Sequence, residues 1–125
     1  MREILLLTNN PRFDNQKFDK VEVKFYNDKD YLEMFYKVRD LLHLNYKLLT
    51  HPLYGNFRPR DTVFRSFIVE KQDKIDLDSI ELIEGAIKRA EHTFNEQSPR
   101  VMTESIISDL SEIDMELILP VLNNL

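Results

Sequence analysis

The chain contains no cysteine among its 125 residues. Thiol nucleophiles, disulfides, thiolate zinc sites and iron–sulfur ligation are excluded together. The same lack fits a reducing compartment. Glycine occurs twice and proline five times, so long flexible linkers are not expected. Positive charge is in deficit: 17 Lys and Arg stand against 22 Asp and Glu, a formal net charge of −5. Phosphate binding needs a basic face, so no nucleic-acid partner is expected. Long apolar runs are missing too. In MREILLLTNN the run covers residues 4–7, far short of a signal-peptide core or a membrane span. The expectation is a cytoplasmic protein with no membrane partner.

What remains is 42% apolar and 31% charged, the balance of a globular chain that can fill one core. A single domain over residues 1–125 is expected. No internal repeat or low-complexity tract is visible.

Residues 3–8, EILLLT, lack polar alternation, as in a central strand covered on both faces. Asn10-Pro11 is a cap followed by a favoured first helical residue, so a short helix is expected over about residues 11–18. Phe13 and Phe18 would be its buried residues. VEVKFY, residues 21–26, alternates and suits a sheet edge. Asp30 and Glu33 have capping-box spacing and open a helix over about residues 30–45. Tyr31, Phe35, Val38 and Leu42 would form its apolar stripe. A short strand at residues 47–50 and a second at 62–70, TVFRSFIVE, follow. The connection between them has no room for a helix, so an antiparallel pair or an irregular connection is expected.

Residues 76–95 carry the clearest helical pattern. Asp78 and Glu81 stand at capping spacing; Ile80, Ile83, Ile87, Ala90 and Phe94 make the stripe. Ser98-Pro99 starts a further helix that would bury Val101, Met102, Ile106 and Leu110. Residues 111–125 are a helical or extended tail that Pro120 would break or kink. The fold class expected is α/β: a small, mostly parallel sheet of about four strands flanked by helices, with a helical C-terminal third. The first strand is placed centrally, between the edge strand and the strand at 47–50.

In such sheets ligands bind beyond the carboxyl ends of strands. Two segments would leave that edge: Thr8-Asn9-Asn10-Pro11, and Thr50-His51-Pro52 within KLLTHPLYGNFRPR. Thr8, Asn9, Asn10, Thr50 and His51 would then surround one crevice. A helix N-terminus at Pro11 would favour an anion there, and Arg58 and Arg60 could clamp it. Each also has a plainer reading. Asn10 caps, Gly55 turns, His51 pins its loop, and the arginines pair with Asp61 and Glu70 or stay solvated.

Nothing completes a catalytic set around His51; Asp61 is the only orienting carboxylate that can be suggested. GxGxxG, GxxxxGK[ST] and GxSxG are all absent, so no cofactor is expected. His43 with Asp40 and His92 with Glu96 each lack the ligand number of a zinc site, and no metal is expected.

TNNP near the N-terminus with KLLTHPLYG some forty residues on resembles the GrdX family. These small proteins are associated with clostridial-type glycine, sarcosine and betaine reductase systems. The likeness extends from the opening strand to the long acidic-capped helix. Tyr54 replaces a small residue of the family pattern, and Arg58-Pro59-Arg60-Asp61 is more basic than that pattern. The resemblance implies a setting in anaerobic amino-acid fermentation but no catalytic mechanism. Three readings follow. The first is an accessory or small-ligand-binding protein whose partners are reductase subunits or a small anionic metabolite. The second is a small enzyme acting on a carboxylated or phosphorylated metabolite with His51 as acid–base. The third is an interaction module that docks or forms a homodimer through the helices after residue 76.

Overall fold

In the computed structural model, residues 2–53, 63–96 and 102–125 are described. Strand β1 is Ile4–Thr8, β2 is Val21–Phe25, β3 is Tyr46–Leu48 and β4 is Ser66–Lys71; the helices are α1 (Tyr31–Leu42), α2 (Leu77–Glu96) and α3 (Glu104–Asn123). Expectations at Gly55, Arg58, Arg60 and Asp61 lie outside the described residues, as do those at Ser98-Pro99, Val101 and the side chains of Phe94 and Glu96.

The uninterrupted run of β1 is buried on both faces. Leu5 and Leu7 enter one core with α1 and α2. Ile4 and Leu6 enter a second core with Phe13, Ile118 and Leu122 on the α3 side. The period-two alternation of a strand thus sorts one apolar run into two layers. The result is a helix pair, a sheet and a single helix stacked in that order.

The sheet is mixed, not mostly parallel. Its order is β2-β1-β4-β3. β1 pairs in parallel with β2 but antiparallel with β4, and β3 is antiparallel to β4. The antiparallel pairing of β3 with β4 is one of the two outcomes expected for that connection. The placement of the 47–50 strand directly beside β1 is also corrected, because β4 intervenes. The physical reason is burial. Phe67, Ile68 and Val69 of β4 are wholly buried and belong in the middle of the sheet. β3 has only three residues, with Lys47 exposed between buried Tyr46 and Leu48, which suits an edge.

The expected helix over 11–18 is a single 3-10 turn, Pro11–Phe13. The chain returns to extended backbone at Asp14 and takes a positive φ of 67° at Asn15, which ends the turn. The capping box at Asp30 is present: Glu33 N donates to Asp30 Oδ1 at 2.8 Å, and Asp30 N to Glu33 Oε1 at 3.0 Å. For α2 the cap is Asp76 instead of Asp78. Its carboxylate accepts from the backbone N–H and the hydroxyl of Ser79, and both bonds hold it below the usual carboxylate range. Ser79 Oγ in turn accepts from Leu48 N at 3.0 Å, tying β3 to α2.

The C-terminal stretch Glu104–Asn123 is one helix, capped by the Thr103 side chain, that runs through Pro120 in its last turn. A proline there removes one backbone bond close to where the ladder ends anyway, so the helix survives it. Its buried residues include Leu110, Asp114, Ile118 and Leu122, at four-residue spacing. Ile106, expected in the core, is instead 38% exposed.

Tyr46 carries a pH prediction. Its hydroxyl donates to the Glu3 carboxylate. That bond, then burial and the charge of Glu3, push the phenol up to about 12. The folded value lies above the ordinary phenol value of about 10, so the stabilisation is complete below about pH 10 and lost as pH rises toward about 12. Tyr46→Phe should flatten that alkaline limb of stability against pH. Urea midpoints at about pH 8 and pH 11 read it.

Candidate functional site at the carboxyl end of β1

Alternation along β1 turns Thr8 to the same side as Ile4 and Leu6, toward α3. In β4, Ser66 stands opposite Thr8. Their hydroxyl oxygens are 2.7 Å apart. Ser66 Oγ donates to Asp114 Oδ2 of α3 at 2.7 Å, so its single proton is committed there. Thr8 must then donate to Ser66, while its own oxygen accepts from Asn10 N at 3.0 Å. A directed relay results, from Asn10 N–H through two hydroxyls to a carboxylate. All four residues are buried, Thr8, Asn10 and Ser66 completely.

The two asparagines close the arrangement. Asn10 Nδ2 donates to Ser111 O at 2.8 Å and Asp114 Oδ2 at 3.0 Å, and its Oδ1 accepts from Arg12 N at 3.0 Å. Asn9 Nδ2 donates to Val63 O at 2.9 Å and Lys29 O at 3.2 Å, and its Oδ1 accepts from Arg65 N at 2.9 Å. Both protons of each amide are engaged. Asn10 fastens the end of β1 to α3. Asn9 fastens it to the approach of β4 and to the turn before α1. The helix start expected to favour an anion is a three-residue turn, with no helix of the expected length behind it to supply a dipole.

Arg65, only 2% exposed, places its guanidinium 5.2 Å from the centre of the Tyr31 ring. Burial pushes the Tyr31 phenol up; Arg65 opposes the shift, and Asp114 adds to it. Arg65, Tyr31 and Asp114 therefore share one electrostatic environment, beside the hydroxyl relay. On the outer side, Arg12 Nε donates to Ser111 Oγ at 2.7 Å.

β1 and β3 run in the same direction, so Thr50 and His51 leave the same end of the sheet as Asn9 and Asn10. They are not side by side, since the start of β4 lies between. Thr50 is buried and its Oγ1 accepts from Ile68 N at 3.3 Å. His51 is exposed; its Nδ1 accepts from Leu53 N at 3.0 Å. That bond sets the ring's orientation and makes Nε2 its outward polar atom. Arg58 and Arg60 lie outside the described residues.

Sequence reasoning missed Arg65, Ser111 and Asp114. Two signals were available. Arg65 is a charge inside a run, Phe64 to Val69, with the composition of a buried strand. Asp114 interrupts the apolar row Leu110, Ile118, Leu122 at helical spacing. A charge on a buried face implies a partner.

Among the described residues, no three His, Asp or Glu side chains come together as a metal site. No described helix is long and apolar enough to cross a membrane. No curated protein and no solved structure matches the chain. The family model of GrdX-like protein matches residues 5–123. That span takes in the sheet from the second residue of β1 onward, the relay and the asparagine pair, and on it the chain belongs to the GrdX-like protein family.

Proposed function

We propose that this protein is an accessory component of a glycine-, sarcosine- or betaine-reductase-type system. It binds a small carboxylate or a reductase subunit at the sheet end where β1 and β3 finish. Family membership supports the setting. The observation that carries the binding role is the division of labour at this end. Asn9 and Asn10 spend their side-chain protons on the fold, which makes a rigid base. His51, on a loop anchored through Thr50, presents an exposed ring oriented by Leu53 N. An oriented imidazole on a fixed base suits recognition of a carboxylate, by donation from Nε2.

Calorimetric titration with glycine, sarcosine, betaine and acetyl phosphate tests the ligand arm, and retention of reductase subunits on the immobilised chain tests the protein arm. At least one arm should give a signal. His51→Ala should weaken that signal by about tenfold or more, the scale of one lost hydrogen bond to a charged group. It should move folding stability by no more than about 0.5 kcal/mol, because the side chain is exposed. Silence in both arms, or a signal that His51→Ala leaves intact, rejects the reading.

A further inference from the structure

The inward face of α2 holds Ser79, Ile83, Ala86, Ile87 and Ala90, all buried. At 3.6 residues per turn Gly85 falls near the middle of the opposite, outward face, beside Glu81. Gly85 is exposed, and a Cβ built there would meet nothing within 4 Å. Nothing in the described packing of this chain requires glycine at that point, although glycine weakens a helix interior. A missing side chain at the centre of a helix face does allow another backbone to come close.

The charges around Gly85 complete the picture. Acidic residues lie on its N-terminal side and basic ones on its C-terminal side. In an antiparallel pair of helices crossing at Gly85, residues equally far before and after it face each other. Glu81 then meets Arg89 of the second copy, and Asp78 meets His92. Leu82, 44% exposed, lies against the aliphatic stem of Lys88. Every such contact occurs twice by symmetry. A parallel pair would set Glu81 on Glu81 and Arg89 on Arg89. Two other acids of α2 are already engaged within the chain: Glu84 with Arg39 at 3.7 Å, and Glu91 with the Tyr36 hydroxyl.

We infer that the outward face of α2 is a self-association surface, on which a second copy of this chain packs antiparallel across Gly85 under a two-fold axis. A single helix face makes a small interface, so the dimer is weak and concentration-dependent.

Sedimentation velocity on the full chain, up to about 1 mM, should show mass rising toward two copies, the behaviour of a low-area interface. Gly85→Leu should leave the thermal midpoint no lower, since it replaces glycine in a helix and points into open space. It should raise the dissociation constant at least tenfold. Glu81→Arg should also weaken association, and Glu81→Arg combined with Arg89→Glu should restore it. A strict monomer at the highest concentration overturns the inference. So does association that Gly85→Leu leaves unchanged. Should Gly85→Leu lower the thermal midpoint, the charge pair decides, and failure of the double variant to rescue overturns the inference.

Discussion

Asp114→Ala is expected to cost about 3 kcal/mol of folding stability, the scale of breaking a buried charged hydrogen-bond network by removing its acceptor. The carboxylate is 5% exposed and accepts from Asn10 Nδ2 and Ser66 Oγ. Without it, an amide and a hydroxyl lose their acceptor at the point where β1, β4 and α3 meet. The loss spreads further, because the Ser66 proton no longer has a fixed direction and Thr8 and Asn10 depend on it. Asp114→Asn keeps the volume and one acceptor oxygen, so it should cost about 1 kcal/mol, a typical single net hydrogen bond. Urea midpoints measure both. With an m-value of about 2 kcal/mol/M, the alanine variant should lose about 1.5 M. A change under about 0.5 kcal/mol, the ordinary range of surface substitutions, would mean that the relay does not hold α3 to the sheet.

Phe67→Ala should be at least as severe, at about 4 kcal/mol. Phe67 is wholly buried in β4, and its ring stands 5.2 Å from that of Phe35 in an edge-to-face pair. Alanine removes most of a large ring from the core that joins the sheet to α1 and α2, and the central strands do not collapse to fill the space. Domains of this size are stable by about 5–15 kcal/mol, so this is a large share of the total. Thermal unfolding should shift down by on the order of 10 °C. Phe67→Leu, closer in volume, should lose about 1.5 kcal/mol. Leu77→Ala is the control. Leu77 is 76% exposed, so apolar character alone should be worth no more than about 0.5 kcal/mol there. Equal losses at both positions would contradict the layered core.

Much of the architecture is legible in short stretches. ILLLT marks a strand covered on both faces, and VEVKF marks an edge. Asp30 with Glu33 marks the start of α1, and Tyr31, Phe35, Val38 and Leu42 mark its buried side. These signals survive because caps and periodicity are set by neighbours within a few residues. The same locality misleads at Asn10-Pro11. A cap followed by proline opens a helix only if apolar residues continue at helical spacing, and here Asp14 and Asn15 intervene.

The sequence by itself determined the four strands and the helices α1 and α2, the two-sided burial of β1, the edge character of β2 and the family to which the chain belongs. It also placed Asn9, Asn10, Thr50 and His51 at strand ends. Only the tertiary structure decided that β4 enters between β1 and β3. It also decided what the two asparagines do. Asn10 meets Asp114 across 104 positions of sequence, and Ser66 meets it across 48. No local pattern carries such a pairing. A buried carboxylate and two buried amides are stable only where their partners are brought to them. The partners of Asn9 come from the turn before α1 and the approach of β4, while only the packing of α3 against the sheet brings Asp114 within hydrogen-bonding distance of Asn10 and Ser66.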